Sequence, residues 1–168
     1  MNYDKPYPTQ RGYFAYYLYE EMKENKDIYL VTGDLGYHQF DKIFEDFPDR
    51  AINCGASEQA GVGLCIGLAL EGKIPFFNSI TNFTLYRPYE WIRNYIDYEK
   101  IPVILIGNGR DDDYKDGYTH QSFDAKRVLK NFQNIHQIWT KDKESIPKII
   151  KKVTTIRKPY FISLSRNE

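Results

Sequence analysis

One carboxylate in this sequence stands out by its surroundings. Glu58 lies in the run CGASEQAGVG, among glycine, alanine and serine, where a long apolar stretch begins. Taking a bare carboxylate out of water costs several kcal/mol unless a partner or a proton compensates it. Two readings are open. Glu58 is either a solvated acid in the first turn of a helix, favoured there by the helix dipole, or an acid in an apolar, glycine-walled slot. In the second case its pKa is raised so that it shares a proton with a ligand nitrogen. Gly61, Gly63 and Gly67 follow closely, and each costs a helix about 1 kcal/mol relative to alanine. Their number suggests close approach of another backbone or of a ligand. The other residues with chemical potential are His120 and Asp116 in DGYTHQ, Phe83 and Tyr86 in NFTLYR, Asp34 in TGDLG, and His38 just beyond it. Each has an ordinary alternative: a loop histidine is commonly solvated, aromatics fill cores, and an aspartate in a glycine-flanked turn needs no further role.

The elements that must position these residues follow from apolar periodicity. Tyr13 to Lys23 reads as a helix with Phe14, Tyr17, Leu18 and Met22 on one stripe. DIYLVTGDLG is a strand ending in a turn, RAIN a second short strand, and Ser57 to Gly72 a helix with Gly72 as its stop. IPFFNSI is a strand and Pro88 to Tyr98 a helix opening at proline. IPVILIG, the most apolar run, is a central buried strand. NIHQIWT is a further strand, Ser145 to Ile156 a Lys-rich amphipathic helix with a solvated polar face, and PYFISLSR a closing strand. Strands alternating with helices predict an α/β fold, a three-layer α/β/α sandwich with a mainly parallel central sheet, filling residues 1–168 as one domain. In such folds ligands gather at the carboxyl ends of the strands. The loops after Thr32, Asn53, Asn78 and Gly107 hold Asp34, Glu58, Phe83 and His120.

Composition removes several classes. The 23 Lys and Arg balance 23 Asp and Glu, so no net field draws the chain to nucleic acid or to an anionic membrane. The abundance of tyrosine and phenylalanine, 15 and 10 residues, argues for aromatic-lined interior or interface surfaces and against disorder. Cys54 and Cys65 have no CxxC spacing and read as buried free thiols of a reducing compartment. The longest apolar run, Ala60 to Leu70, is too short to span a bilayer, and the first residues carry no signal-peptide pattern. A cytoplasmic location is expected. No GxGxxG or Walker loop follows any strand, which weakens a nucleotide-binding reading.

VTGDLG, INCGASEQAGVGLCIGLALEGKIPFF, NFTLYRPYEWIRN, DGYTHQ and KPYFISLSR occur in the order and spacing of one known module. From about Arg11 to Arg166 the chain resembles the pyrimidine-binding domain of the transketolase-like thiamine-diphosphate enzymes. That family includes transketolase, 1-deoxyxylulose-5-phosphate synthase and the beta subunits of 2-oxoacid dehydrogenases. The resemblance implies the thiamine-diphosphate-binding fold. It also implies that Glu58 hydrogen-bonds N1′ of the cofactor's aminopyrimidine and promotes the imino tautomer that deprotonates C2 of the thiazolium. By the same resemblance Phe83 and Tyr86 pack on and beside the aminopyrimidine, and Asp34 lies near the cofactor. His120 and Asp116 face substrate hydroxyls, and His38 is a further substrate-side candidate; His136 is structural. Two departures bear on specificity: Ile80 stands where transketolases often carry phenylalanine, and Tyr118 replaces the usual proline of the DGxTHQ loop.

The family's GDG…N motif, which holds the diphosphate through Mg²⁺ or Ca²⁺ on a separate domain, does not occur in the sequence, and TGDLG does not replace it. Neither a diphosphate-binding domain nor a carboxyl-terminal transketolase domain is expected within the chain. The resemblance therefore implies one half of a split active site. A second polypeptide would supply the metal and diphosphate site, with two copies of each chain in the assembly and the chain inactive alone. The reaction class implied is carbon–carbon bond cleavage and formation, a ketol or acyl transfer on a sugar or 2-oxoacid, with THQ leaning toward ketol transfer. The alternatives are a non-catalytic structural or regulatory subunit that keeps the fold, and a subunit of a 2-oxoacid decarboxylase or synthase.

Overall fold

In the computed structural model, which describes residues 5–166, one six-stranded sheet runs through the chain in the order β2-β1-β3-β4-β6-β5. The strands are β1 (Ile28–Thr32), β2 (Ala51–Asn53), β3 (Ile74–Ile80), β4 (Ile104–Asn108), β5 (His136–Trp139) and β6 (Tyr160–Leu164). Every pairing is parallel. Residues 1–4 and 167–168, the two ends of the expected domain, lie outside the described residues.

Side-chain alternation sorts the core into two layers. Ile28 and Leu30, Phe76, Ile104 and Ile106, and Ile162 face one side, where α1 (Gln10–Glu24), α2 (Asp41–Asp46) and α7 (Ile146–Thr155) pack. Val31, Phe77, Leu105 and Phe161 face the other, covered by α3 (Glu58–Leu70), α4 (Thr81–Tyr86) and α6 (Ala125–Leu129). A two-residue period delivers alternate side chains to opposite faces, so strands covered on both sides are mostly apolar on both. β3 and β6 are buried along their whole length, as that rule requires. This is the three-layer arrangement with a parallel sheet that the sequence pattern predicts.

The differences lie in the helices. The helix expected from Pro88 to Tyr98 is divided into α5 (Tyr89–Trp91) and a π-helical segment, Ile92–Tyr98, and it is preceded by α4, which the periodicity did not show. Thr81 and Thr84, residues that often favour strands, are helical here because their hydroxyls reach the neighbouring strand. Thr81 Oγ1 donates to the Gly109 carbonyl at 2.6 Å and Thr84 Oγ1 to that of Ile106 at 3.0 Å. The short α2 and α6 were likewise not legible as helices, being too brief to show a periodic stripe. β4 starts at Ile104, three residues later than the IPVILIG run, because Val103 N is engaged in a tight turn with the Ile101 carbonyl at 2.8 Å. Among the described residues no helix is long and apolar enough to cross a membrane.

Candidate functional site

The carboxyl ends of β1, β2 and β3 bring Glu58 to the centre of the sheet edge. Glu58 is the first residue of α3, directly after β2, and its side chain is 3% exposed. The two sequence readings thus merge. It is a first-turn carboxylate with the helix dipole behind it, and it is also a buried acid. What offsets its burial is Arg87, at the end of α4. Arg87 Nη1 donates to both Glu58 oxygens, each at 2.7 Å. The Arg87 side chain itself remains 44% exposed.

The guanidinium also sits over an aromatic ring. Arg87 Cζ is 3.7 Å from the centroid of Phe83, one helical turn earlier. Phe83 meets the His120 ring edge-on, with centroids 5.0 Å apart. His120 is held by its neighbours: its Nδ1 is 3.0 Å from the Thr119 hydroxyl and its backbone N–H donates to the Gly117 carbonyl at 3.0 Å. The result is a continuous row, Glu58–Arg87–Phe83–His120, assembled from three separate segments: the start of α3, α4 with its C-cap, and the loop that holds His120. A buried anion, an aromatic face and an imidazole in one line can grip a flat ligand that offers nitrogen to the acid and its face to the ring.

Beneath the row the strand ends are polar. Asn108 Nδ2 donates to Asn78 Oδ1 at 2.9 Å and to the Ser79 carbonyl at 3.1 Å, while Thr32 Oγ1 donates to the Asn78 carbonyl at 3.2 Å. Among the described residues, the buried Ser79 Oγ and Asn108 Oδ1 have no hydrogen-bond partner. Buried polar atoms are ordinarily satisfied, so these two leave hydrogen-bonding capacity for a water or a bound group. Gly33 borders the same spot. A Cβ there would stand 3.2 Å from Ser79 Oγ and 3.5 Å from Glu58 Oε1, so a side chain at this position would crowd the acid.

The other expected residues are placed as follows. Tyr86 is exposed beside Phe83 and its phenol pKa is raised, first by burial and then by a hydrogen bond to Asp124, so it stays protonated. Asp34 is exposed in the loop after β1, and Asp116 is exposed in the loop before His120. His38 is exposed and bound to the start of α2, its N–H donating to Asp41 Oδ1 at 3.0 Å. His136 is at the far edge of the sheet on β5, against Tyr160. Ile80 is buried at the end of β3, and Tyr118 is exposed. Cys54 and Cys65 are free, and burial pushes both thiols up, Cys65 the further. Among the described residues no group of three or more His, Cys, Asp or Glu could hold a metal ion.

The glycines of α3 have a different reason from the one expected. A Cβ on Gly61 would lie 2.6 Å from Phe77 Cε2 and 2.7 Å from Cys54 Sγ, and one on Gly63 would lie 3.1 Å from Trp91. Side chains of the chain itself make these close approaches, and at Gly67 nothing lies within 4 Å. Sequence reasoning missed Arg87, Gly33, Ser79 and Asn108. The one signal for Arg87 was its position, four residues after Phe83 on a helix that periodicity does not reveal; i and i+4 share a face only once the helix is known.

Comparison with known proteins agrees with this fold. The family model described as "Transketolase, pyrimidine binding domain" matches residues 7–168. A putative transketolase C-terminal section of Methanocaldococcus jannaschii is 27% identical over 164 residues, 96% of this chain and 52% of that protein. One of the subunits of the apulose-4-phosphate transketolase of Phocaeicola vulgatus is 27% identical over 158 residues, 93% of this chain and 51% of that protein. A solved structure described as a split gene transketolase, inactive beta4 tetramer, superposes with a TM-score of 0.83 at 29% identity, over 95% of this chain and 52% of that one. The chain spans about half the length of these relatives. With the motifs, the parallel sheet and a family match over nearly all its residues in agreement, the chain belongs to the transketolase pyrimidine-binding domain family.

Proposed function

We propose that this chain is the pyrimidine-binding subunit of a two-component, thiamine-diphosphate-dependent enzyme of the transketolase type. The observation that carries the reading is Glu58: a carboxylate 3% exposed, bridged to a planar nitrogen cation that is stacked on Phe83. The residues fit an aminopyrimidine. Such a ring presents a flat face and nitrogens along one edge, as the guanidinium does, and the orphaned Ser79 Oγ and the bare Cα of Gly33 leave polar capacity and room beside the acid. Thiamine diphosphate, once bound, would supply the nucleophilic carbon and the electron sink for chemistry next to a substrate carbonyl.

The chain's own residues have distinct tasks in this scheme. Glu58 holds a proton between its carboxyl oxygen and the ring nitrogen, in surroundings where water does not compete for it. Phe83 offers a face for stacking, and Tyr86, kept protonated by its raised pKa, lines the same cleft as Asp124. His120, packed against Phe83, stands on the substrate side and handles a hydroxyl or developing oxyanion. Asp116, Asp34 and His38 are assigned outer roles toward substrate and cofactor in the loops around the row. The Mg²⁺ or Ca²⁺ and the diphosphate are assigned to a second subunit with a GDG…N motif, in an assembly with two copies of each chain. Among donors, the names of the two transketolase relatives favour a ketose over a 2-oxoacid.

Reconstitution tests this. Thiamine diphosphate with Mg²⁺ is titrated calorimetrically into the chain alone, into the partner alone and into the mixture, and ketol transfer is followed for wild type and Glu58→Gln. The expected result is tight binding by the mixture only and a loss of turnover of about 10²–10⁴-fold in Glu58→Gln, the range for removing a positioned acid–base group. Tight binding by this chain alone would refute the split site, and unchanged turnover in Glu58→Gln would refute its catalytic role.

A further inference from the structure

Glu58 and Phe83 must both touch the flat ligand of the proposed site, yet they open into different clefts. A cleft of about 560 Å³ is lined by Ser57, Glu58, Gln59, Arg87 and Trp91. A second, of about 380 Å³, is lined by Phe83, Tyr86, Arg87, Tyr118 and Asp124 among others. Among the described residues Arg87 alone lines both. Its guanidinium is the partition. It lies on the ring face of Phe83 and donates to both oxygens of Glu58, the two contacts that a planar ligand would need.

We propose that Arg87 is an internal place-holder for the ligand, and that ligand entry is an exchange in which the guanidinium leaves Glu58 and Phe83 and swings into the second cleft toward Asp124. The inference rests on reading Glu58 and Phe83 as the aminopyrimidine site. Three features make the exchange feasible. Arg87 follows the last residue of α4 and precedes Pro88, so no helix fixes its side chain on both sides. The side chain is 44% exposed and can rotate through solvent, whereas Glu58 at 3% cannot follow it. Asp124, which lines the second cleft together with Tyr86, is an anionic acceptor for the displaced cation. Only a ligand that replaces both contacts recovers what the exchange gives up, so Arg87 selects for planar, nitrogen-edged molecules. It also keeps Glu58 compensated while the site is open.

The test uses the full chain and 4-amino-5-hydroxymethyl-2-methylpyrimidine, the free aminopyrimidine half, with binding followed by ligand-observed NMR and by the fluorescence of Trp91 in the first cleft. Arg87→Ala is expected to bind this probe about tenfold more tightly than wild type, equivalent to about 1.4 kcal/mol. Arg87→Lys keeps a counter-charge beside Glu58 and therefore the fold, but cannot lie flat on Phe83; it is expected to tighten binding by a smaller factor. Millimolar guanidinium should displace the probe from Arg87→Ala more readily than from wild type. If both variants bind no more tightly than wild type while Glu58→Gln weakens binding, the exchange is overturned and the aminopyrimidine site stands. If no variant binds the probe, either alone or mixed with the second subunit, the exchange and the site reading fall together.

Discussion

The Glu58–Arg87 pair is lopsided, and its two halves should cost different amounts to remove. Glu58 is 3% exposed and Arg87 44%. Truncating the arginine leaves a buried carboxylate without its counter-ion, whereas neutralising the acid leaves an arginine that water can solvate. Breaking a fully buried pair from one side costs about 3–5 kcal/mol. Solvent already screens the exposed guanidinium here, so a discounted figure of about 2 kcal/mol is appropriate for Arg87→Ala. In Glu58→Gln the amide oxygen still accepts from Arg87 and the cost should be about 0.5 kcal/mol, near the low end for a single hydrogen bond. For a chain of this size the difference is about 3–6 °C in Tm. Urea unfolding of the chain alone, with a constant m-value, measures both variants and the double variant. Because the groups touch, the double variant should cost about 1–1.5 kcal/mol less than the sum of the singles. Equal costs for the two single variants, or strict additivity in the double, would refute the claim that Arg87 compensates a buried charge.

Other outcomes follow from the packing and the thiols. Gly61→Ala should destabilise by about 1–2 kcal/mol, since its methyl group would press into fully buried Phe77 and into Cys54. Gly67→Ala, with nothing within 4 Å, should stabilise by about 0.5–1 kcal/mol, and both are read from thermal unfolding. Only a thiolate reacts, and burial raises both thiol pKa values; thus Cys54 should titrate slowly with a disulfide reagent at mildly alkaline pH, and Cys65 only at the rate of opening. The Lys73 ammonium, hydrogen-bonded to Asp27, lowers that carboxyl's pKa. Its contribution is present at neutral pH and lost as pH falls below about 4 toward the lowered folded value, so Asp27→Asn should flatten the acid limb of a stability–pH profile.

The sheet was readable because its signal is local. β3 was legible residue for residue in IPFFNSI, and β6 as the core of PYFISLSR, since a strand buried on both faces is a short, mostly apolar run. The helices that flank the site were read less well. α4 is held by threonine hydroxyls bonded to carbonyls far along the chain, at separations of 28 residues for Thr81 and 22 for Thr84, and no window of local sequence contains those partners. The π-helical register of Ile92–Tyr98 leaves the apolar spacing close to that of an α-helix, so periodicity could not separate the two.

Within the site, the sequence by itself determined that an acid stands at the start of α3 in small-residue surroundings, and that Phe83 and His120 belong to segments that follow strands at the same end of a parallel sheet. Those statements need only residue order and the rule that parallel strands share a carboxyl edge. Whether Glu58 was capped by water or buried, and what compensates its charge, was decided by the tertiary structure. Its partner Arg87 is 29 residues away and reaches it only because α4 forms and places residue 87 over the Phe83 ring. Burial and ion pairing are properties of what surrounds a side chain, and those surroundings exist only after distant elements have packed together.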